Sequence, residues 1–216
     1  MLTLIGICLV RLRNNIHANP GGDNSVAQVL DWGESAKEIK NMISRSREMW
    51  IWGGAFTEHL QEMEPNLIDE FNRGLIIRLL MVERKSSAVK DLAFRLSKPP
   101  KHGWNDFKSE VAFTENIQLL EERLKVTIRT LDRMLKTIPS ESLEYRTLGY
   151  LAPYSIYICD PYSPSGRLLV RLAFHSGRHD RRVTIKIRRS EDPELYNYFL
   201  SEFLAVWDAA GGSSTS

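Results

Sequence analysis

The sequence predicts an α/β fold, a mixed β-sheet flanked by helices on both faces, and three observations predict it. Short, almost wholly apolar runs such as "MWIWGGAF" (49–56) and "GLIIRLLMV" (74–82) alternate with stretches whose apolar residues recur every three or four positions. That is the pattern of buried strands between amphipathic helices. After Pro139 the pattern changes to β-branched or alternating runs separated by turn residues, closed by one more helix. Finally, 43% of the 216 residues are hydrophobic, including five Trp, seven Tyr and eight Phe, which is enough to fill such a core.

Each element follows in order. "NPGGDNS" at 19–25 is a turn or linker, and regular structure starts near Val26. From Gly33 to Arg47, Ala36, Ile39, Met42 and Ile43 recur at helical spacing, and the strand "MWIW" follows, breaking at Gly53 and Gly54. Residues 58–73 carry Leu60, Met63, Leu67, Ile68 and Phe71 on one side, with a break at Pro65. A strand at 74–82 and a helix from Ser86 to Leu96 come next. The polar loop "SKPPKHGWND" leads into the longest helical stripe, Phe107 to Thr137, built on Ile117, Leu120, Leu124, Ile128, Leu131 and Leu135. Runs at 143–151, 154–160, 166–175 and 181–189 read as strands. Asp192-Pro193 is a good N-cap and N1 pair for a closing helix through Leu195, Phe199, Phe203 and Trp207. The chain thus divides into a leader or linker (1–25), a single domain (26–210) and a flexible "GGSSTS" tail (211–216).

Composition narrows the class. Cys8 and Cys159 lie in separate apolar runs and suggest neither a disulfide framework nor a zinc site, so a reducing, cytoplasmic setting is expected. "MLTLIGICLV" is the one continuous apolar leader, shorter than the roughly 20 residues of a membrane helix. It is read as a strand or a leader, with the trimmed end of a membrane-proximal helix as the alternative, because Arg11 and Arg13 follow it. The net charge is only +2, but Gly166 to Arg189 holds Arg167, Arg171, Arg178, Arg181, Arg182, Lys186, Arg188 and Arg189 against Asp180 alone. Such a cluster is either a footprint for phosphate-bearing partners or the charged edge of a solvated hairpin.

The motifs exclude more than they select. There is no Walker loop, no GxGxxG after a strand, no HExxH and no GxSxG elbow. No metal ligand set and no cofactor are called for. Gly53 and Gly54 end a buried strand where backbone N–H groups can meet an anion, or form only a tight turn. Arg146 interrupts an aromatic strand and calls for an anionic partner. His175, in "HSGRHD", ends a strand beside Arg178 and Arg181, a set suited to phosphoryl chemistry or to a plain exposed turn. Asp160, before Pro161, reads as a turn cap or an acidic site residue.

The order "GESAKEIKNMISRSREMWIWGGAF", "LIIRLLMV", "IQLLEERLKVTIRTLDRML", "EYRTLGYLAPYSIYICDP" and "FLSEFLAVWDAA" resembles the phospholipase D-like superfamily, over residues 33–210. The likeness is to the single-copy, degenerate members of bacterial regulatory and defence proteins. Active members carry His-x-Lys-(x)4-Asp on the strand that "YSIYICD" matches. Aligning the acid with Asp160 puts Pro153 in the histidine position and Ser155 in the lysine position. Neither supplies a nucleophilic imidazole or a cation, so the resemblance implies a domain with no catalytic residues.

Three functions follow as expectations. The first is a non-catalytic domain that senses a phosphate-containing, nucleotide-like ligand in a vestigial cleft lined by Gly53, Gly54, Arg146, Ser155, Asp160, His175 and Arg178, and that forms a homodimer. The second is a nucleic-acid-binding accessory protein using the hairpin 166–189 through Arg181, Arg182, Lys186, Arg188 and Arg189. The third is a phosphodiesterase or nuclease with a non-standard site at His175.

Overall fold

The computed structural model describes residues 27–54, 66–96, 107–172 and 183–210. Their elements run β1 (Gln28–Leu30), α1 (Trp32–Arg45), β2 (Glu48–Trp52), β3 (Ile76–Val82), α2 (Ser87–Leu96), α3 (Phe107–Met134), β4 (Leu143–Leu148), β5 (Tyr154–Cys159), β6 (Arg167–Leu172), β7 (Thr184–Arg188) and α4 (Pro193–Ala209). A helical stretch at 66–72 precedes β3. The strands form one seven-stranded sheet in the order β1-β7-β6-β5-β2-β3-β4. β2, β3 and β4 are parallel to one another, whereas β5, β6, β7 and β1 join by antiparallel pairing, so the sheet is mixed as expected.

Local sequence accounts for the ends of the helices. Asp31 Oδ1 accepts the Glu34 N–H at 2.8 Å, while the Glu34 carboxylate accepts the Asp31 N–H at 3.0 Å. This capping box starts α1 one residue before the expected Gly33. Asp192 accepts the Leu195 N–H at 2.9 Å and Pro193 opens α4, as the sequence predicts. α3 ends at Met134, three residues short of the expected Thr137.

Strand alternation sends side chains to two cores. On one face Met49, Ile77, Leu79, Met81, Tyr157, Cys159 and Leu169 pack with Ile39, Met42 and Ile43 of α1, Ala88 and Val89 of α2, and Leu120, Leu124 and Leu131 of α3. On the other, Trp50, Trp52, Leu80, Ile156, Ile158, Leu168, Val170, Ile185 and Ile187 pack with Tyr196, Phe199, Leu200, Phe203 and Trp207 of α4.

α4 crosses the strands instead of running along them. The Asp192 N–H donates to the Arg188 carbonyl at the end of β7, and the Tyr196 hydroxyl donates to the Pro161 carbonyl after β5. Further on, Phe203 stacks on Trp50 of β2 at 5.1 Å, and Trp207 lies against Arg78 of β3 and Arg146 of β4. Seventeen residues of helix measure about 25 Å, and the five strand intervals from β7 to β4 about 24 Å. One helix therefore ties nearly the whole width of the sheet. Among the described residues no helix is long and apolar enough to cross a membrane; the apolar leader lies outside them.

Candidate nucleic-acid interface

The sheet has two ends, each with candidate residues. The first lies at the carboxyl ends of the parallel strands, where open α/β sheets place ligands. Gly53, Gly54 and Ser155 are here, but the glycines do not present a free backbone nest. The Gly53 N–H donates to the Leu80 carbonyl at 3.1 Å, and the Gly54 carbonyl accepts the Val82 N–H at 3.4 Å, extending the β2–β3 ladder. A Cβ on Gly54 would meet Leu92 at 3.3 Å, so this glycine lets α2 approach the sheet. Around them stand Glu83, Glu202, Tyr150 and Tyr154. Burial, reinforced by the Glu202 charge, pushes the phenols of Tyr150 and Tyr154 above the ordinary tyrosine value. These carboxylates and phenols do not favour a phosphate.

The other cleft residues are elsewhere or already engaged. Asp160 closes β5 at the opposite end of the sheet, one strand length from Ser155. Its backbone is left-handed (φ 48°), a conformation that Asp tolerates better than most residues. Its Oδ1 accepts the N–H groups of Arg47 at 2.9 Å and Glu48 at 3.1 Å, so the carboxylate pins the start of β2. Arg146 finds its anion within the fold. It donates to Glu144 at 2.9 Å and to the Trp207 carbonyl at 2.6 Å, and its guanidinium lies 4.3 Å over the Trp207 ring. His175 and Arg178 lie outside the described residues. The expected cleft is thus divided between the two ends of the sheet in its described part.

The basic hairpin is also distributed differently from the expectation of an exposed flat surface. Period-two alternation turns Arg167, Arg171 and Lys186 toward α1, whose polar side meets them. Arg171 is 3% exposed and donates to Ser35 Oγ at 2.8 Å, with its guanidinium 5.5 Å over the Tyr157 ring. Glu38 Oε1 accepts from Lys186 Nζ at 2.9 Å and from Arg167 at 3.3 Å. Lys186 is consequently a half-buried tie between β7 and α1 and not a surface cation. Arg188, still half-exposed, pairs with Glu191. Arg181 and Arg182 lie outside the described residues.

Described cations stand at both ends of the sheet: Arg84 and Lys85 follow β3 at the first, and a larger group lies at the second. Arg45 ends α1 and Arg47 precedes β2; both are exposed, with no carboxylate partner among the described residues. Arg189, after β7, donates to the Pro161 carbonyl at 3.4 Å and stands 5.8 Å over the Tyr196 ring. A carbonyl and a ring leave its charge uncancelled. By strand order Arg188 and Arg189 (β7), Arg167 (β6), Asp160 (β5) and Arg47 (β2) form one row across this end, each strand about 4.8 Å from the next. Beside the row, at the end of α1, stands Arg45, and neither it nor Arg47 stands out in the sequence. No local signal marks them, because their juxtaposition with β7 depends on the strand order. No group of residues suited to holding a metal occurs among the described residues.

No family model matches the chain, and no curated protein matches it. Among solved structures it is similar to TrmBL2, an archaeal chromatin protein whose structure shows a novel mode of DNA binding. The likeness has a TM-score of 0.51 at 16% sequence identity and covers 97% of this chain. The chain spans 62% of the length of that protein. At such identity the fold is what the two share.

Proposed function

We propose that the chain is a nucleic-acid-binding α/β module, phospholipase D-like in fold and without the catalysis of that superfamily, which contacts phosphates through the basic end of its sheet. The observation that carries the reading is the group of Arg45, Arg47, Arg188 and Arg189 at this end, of which three keep an uncancelled charge among the described residues. The fold shared with a DNA-binding chromatin protein over nearly the whole chain supports it. The superfamily resemblance adds that Pro153 and Ser155 occupy the positions of the nucleophile and its cation. Exposed guanidiniums suit phosphate oxygens by charge and by their forked geometry.

Fluorescence anisotropy with a generic labelled duplex, at stepped salt, tests the proposal. Log affinity should fall linearly with log salt concentration. Replacing Arg45, Arg47, Arg188 and Arg189 together by glutamine should flatten the slope by about 3 to 4. A second variant, with Arg181, Arg182, Arg188 and Arg189 replaced, reports on the basic cluster that the sequence singles out. Affinity insensitive to salt, or unchanged in the first variant, overturns the proposal.

A further inference from the structure

We infer that the basic end of the sheet accepts single-stranded nucleic acid, with an unpaired base stacking on Tyr162; the inference rests on the nucleic-acid reading above. Tyr162 is 61% exposed, in the turn "DPYSPSG" between β5 and β6. So large an exposed ring would be unremarkable on a loose loop, but this turn is fastened on every side. The Ser163 N–H donates to the Asp160 carbonyl and the Gly166 N–H to the Ser163 carbonyl, both at 2.9 Å. The Ser163 and Ser165 hydroxyls share a 2.8 Å hydrogen bond. Arg189 and the Tyr196 hydroxyl both donate to the carbonyl of Pro161, the residue immediately before the ring. At Gly166 an added Cβ would come within 2.6 Å of the Tyr196 hydroxyl and 2.9 Å of the Asp160 carbonyl, so the turn closes only with glycine.

The ring is held at a set angle as well. It makes a T-shaped contact with Trp50 at 5.7 Å, the planes 83° apart, and keeps most of its surface toward solvent. Arg78, whose side chain is 35% exposed, lies 4.9 Å over the same Trp50 ring, and a guanidinium plane is itself a stacking surface. Arg189 flanks the turn on one side, and on the other Arg47 is joined to it through Asp160. Of the nearby carboxylates, Glu191 pairs with Arg188, and Glu48 and Asp160 are engaged within the fold. Glu48 accepts the Trp50 indole N–H at 2.7 Å and stands 3.9 Å from Arg78, and Asp160 holds the backbone of β2. A fixed aromatic ring among arginines is the arrangement that binds single strands, phosphates on the cations and a base on the ring. In a duplex the bases are paired and stacked on one another, so the ring has nothing to receive.

The test measures anisotropy of the full chain with a labelled oligothymidine and with a duplex of equal length, at the same salt concentration. The wild-type protein should bind the single strand more tightly. Tyr162→Ala should weaken single-strand binding between about 5-fold and about 150-fold while leaving duplex affinity unchanged. Tyr162→Phe, which keeps the ring and any packing it provides, should bind as the wild type does. Duplex binding equal to or tighter than single-strand binding overturns this inference and leaves the nucleic-acid reading standing. So does an equal loss on both ligands in Tyr162→Ala, or no loss on either. Failure to bind either nucleic acid at low salt removes both.

Discussion

Replacing Asp160 by alanine separates a structural carboxylate from a ligand-binding one. The side chain accepts two backbone N–H groups, from Arg47 and Glu48, through the same oxygen. Hydrogen bonds to a charged acceptor contribute more than neutral ones, and these two are exposed to partly buried, so together they are worth about 2 to 3 kcal/mol. Alanine would also have to hold φ at 48°, adding roughly 1 kcal/mol. The expected loss is therefore about 3 to 4 kcal/mol. Asparagine keeps an acceptor at Oδ1 and tolerates the left-handed backbone, so Asp160→Asn should lose only about 1 kcal/mol. Urea unfolding monitored by tryptophan fluorescence measures both, and the thermal midpoint of the alanine variant should drop by about 6 to 16 °C. If Asp160→Ala unfolds within about 0.5 kcal/mol of the wild type, the two hydrogen bonds do not hold the turn to β2.

Two further outcomes follow from the same kind of accounting. Glu38→Gln removes the charge shared by Arg167 and Lys186 beneath α1, and the partial exposure of all three side chains moderates the cost to about 2 to 3 kcal/mol, again read by urea unfolding. A loss no larger than that of an exposed i,i+3 pair such as Arg188–Glu191 would contradict the burial of this triad. The Tyr145 phenol, pushed up to about 12 by burial and by its 2.8 Å hydrogen bond to Asp132, holds its proton in the folded state at pH values where the unfolded chain releases it. Its contribution is fully present below pH 10 and is lost as the pH rises from 10 to 12, so the thermal midpoint should fall across that window. Tyr145→Phe should shrink the fall.

How far this molecule was legible in its sequence depends on how local each signal is. The two apolar runs ending at Trp52 and Val82, the capped closing helix and the alternating hairpin were all readable, because periodicity and caps are local. β1 was missed, since three residues, Gln28 to Leu30, have too short a pattern and become a strand only by pairing with β7. Arg146 was rightly read as needing a partner, but the Trp207 carbonyl is 61 residues away. The roles of Lys186 and Asp160 failed to show for the same reason: Glu38 lies on a distant helix, and the N–H groups that Asp160 accepts are more than a hundred residues earlier. Tyr162 sits in a stretch of Pro, Ser and Gly that reads only as a turn.

The helix laid across the strands also has a consequence for how the chain acquires its shape. α4 follows in sequence every strand it covers, and the ribosome delivers residues in that order. Until Trp207 has emerged, Trp50, Trp52, Ile156, Ile158 and Val170 line an open greasy wall with nothing to lie on it. During synthesis, then, the nascent sheet is adhesive on one side. A stop codon placed before residue 193 should yield inclusion bodies, where loss of a peripheral helix would yield a merely weakened protein.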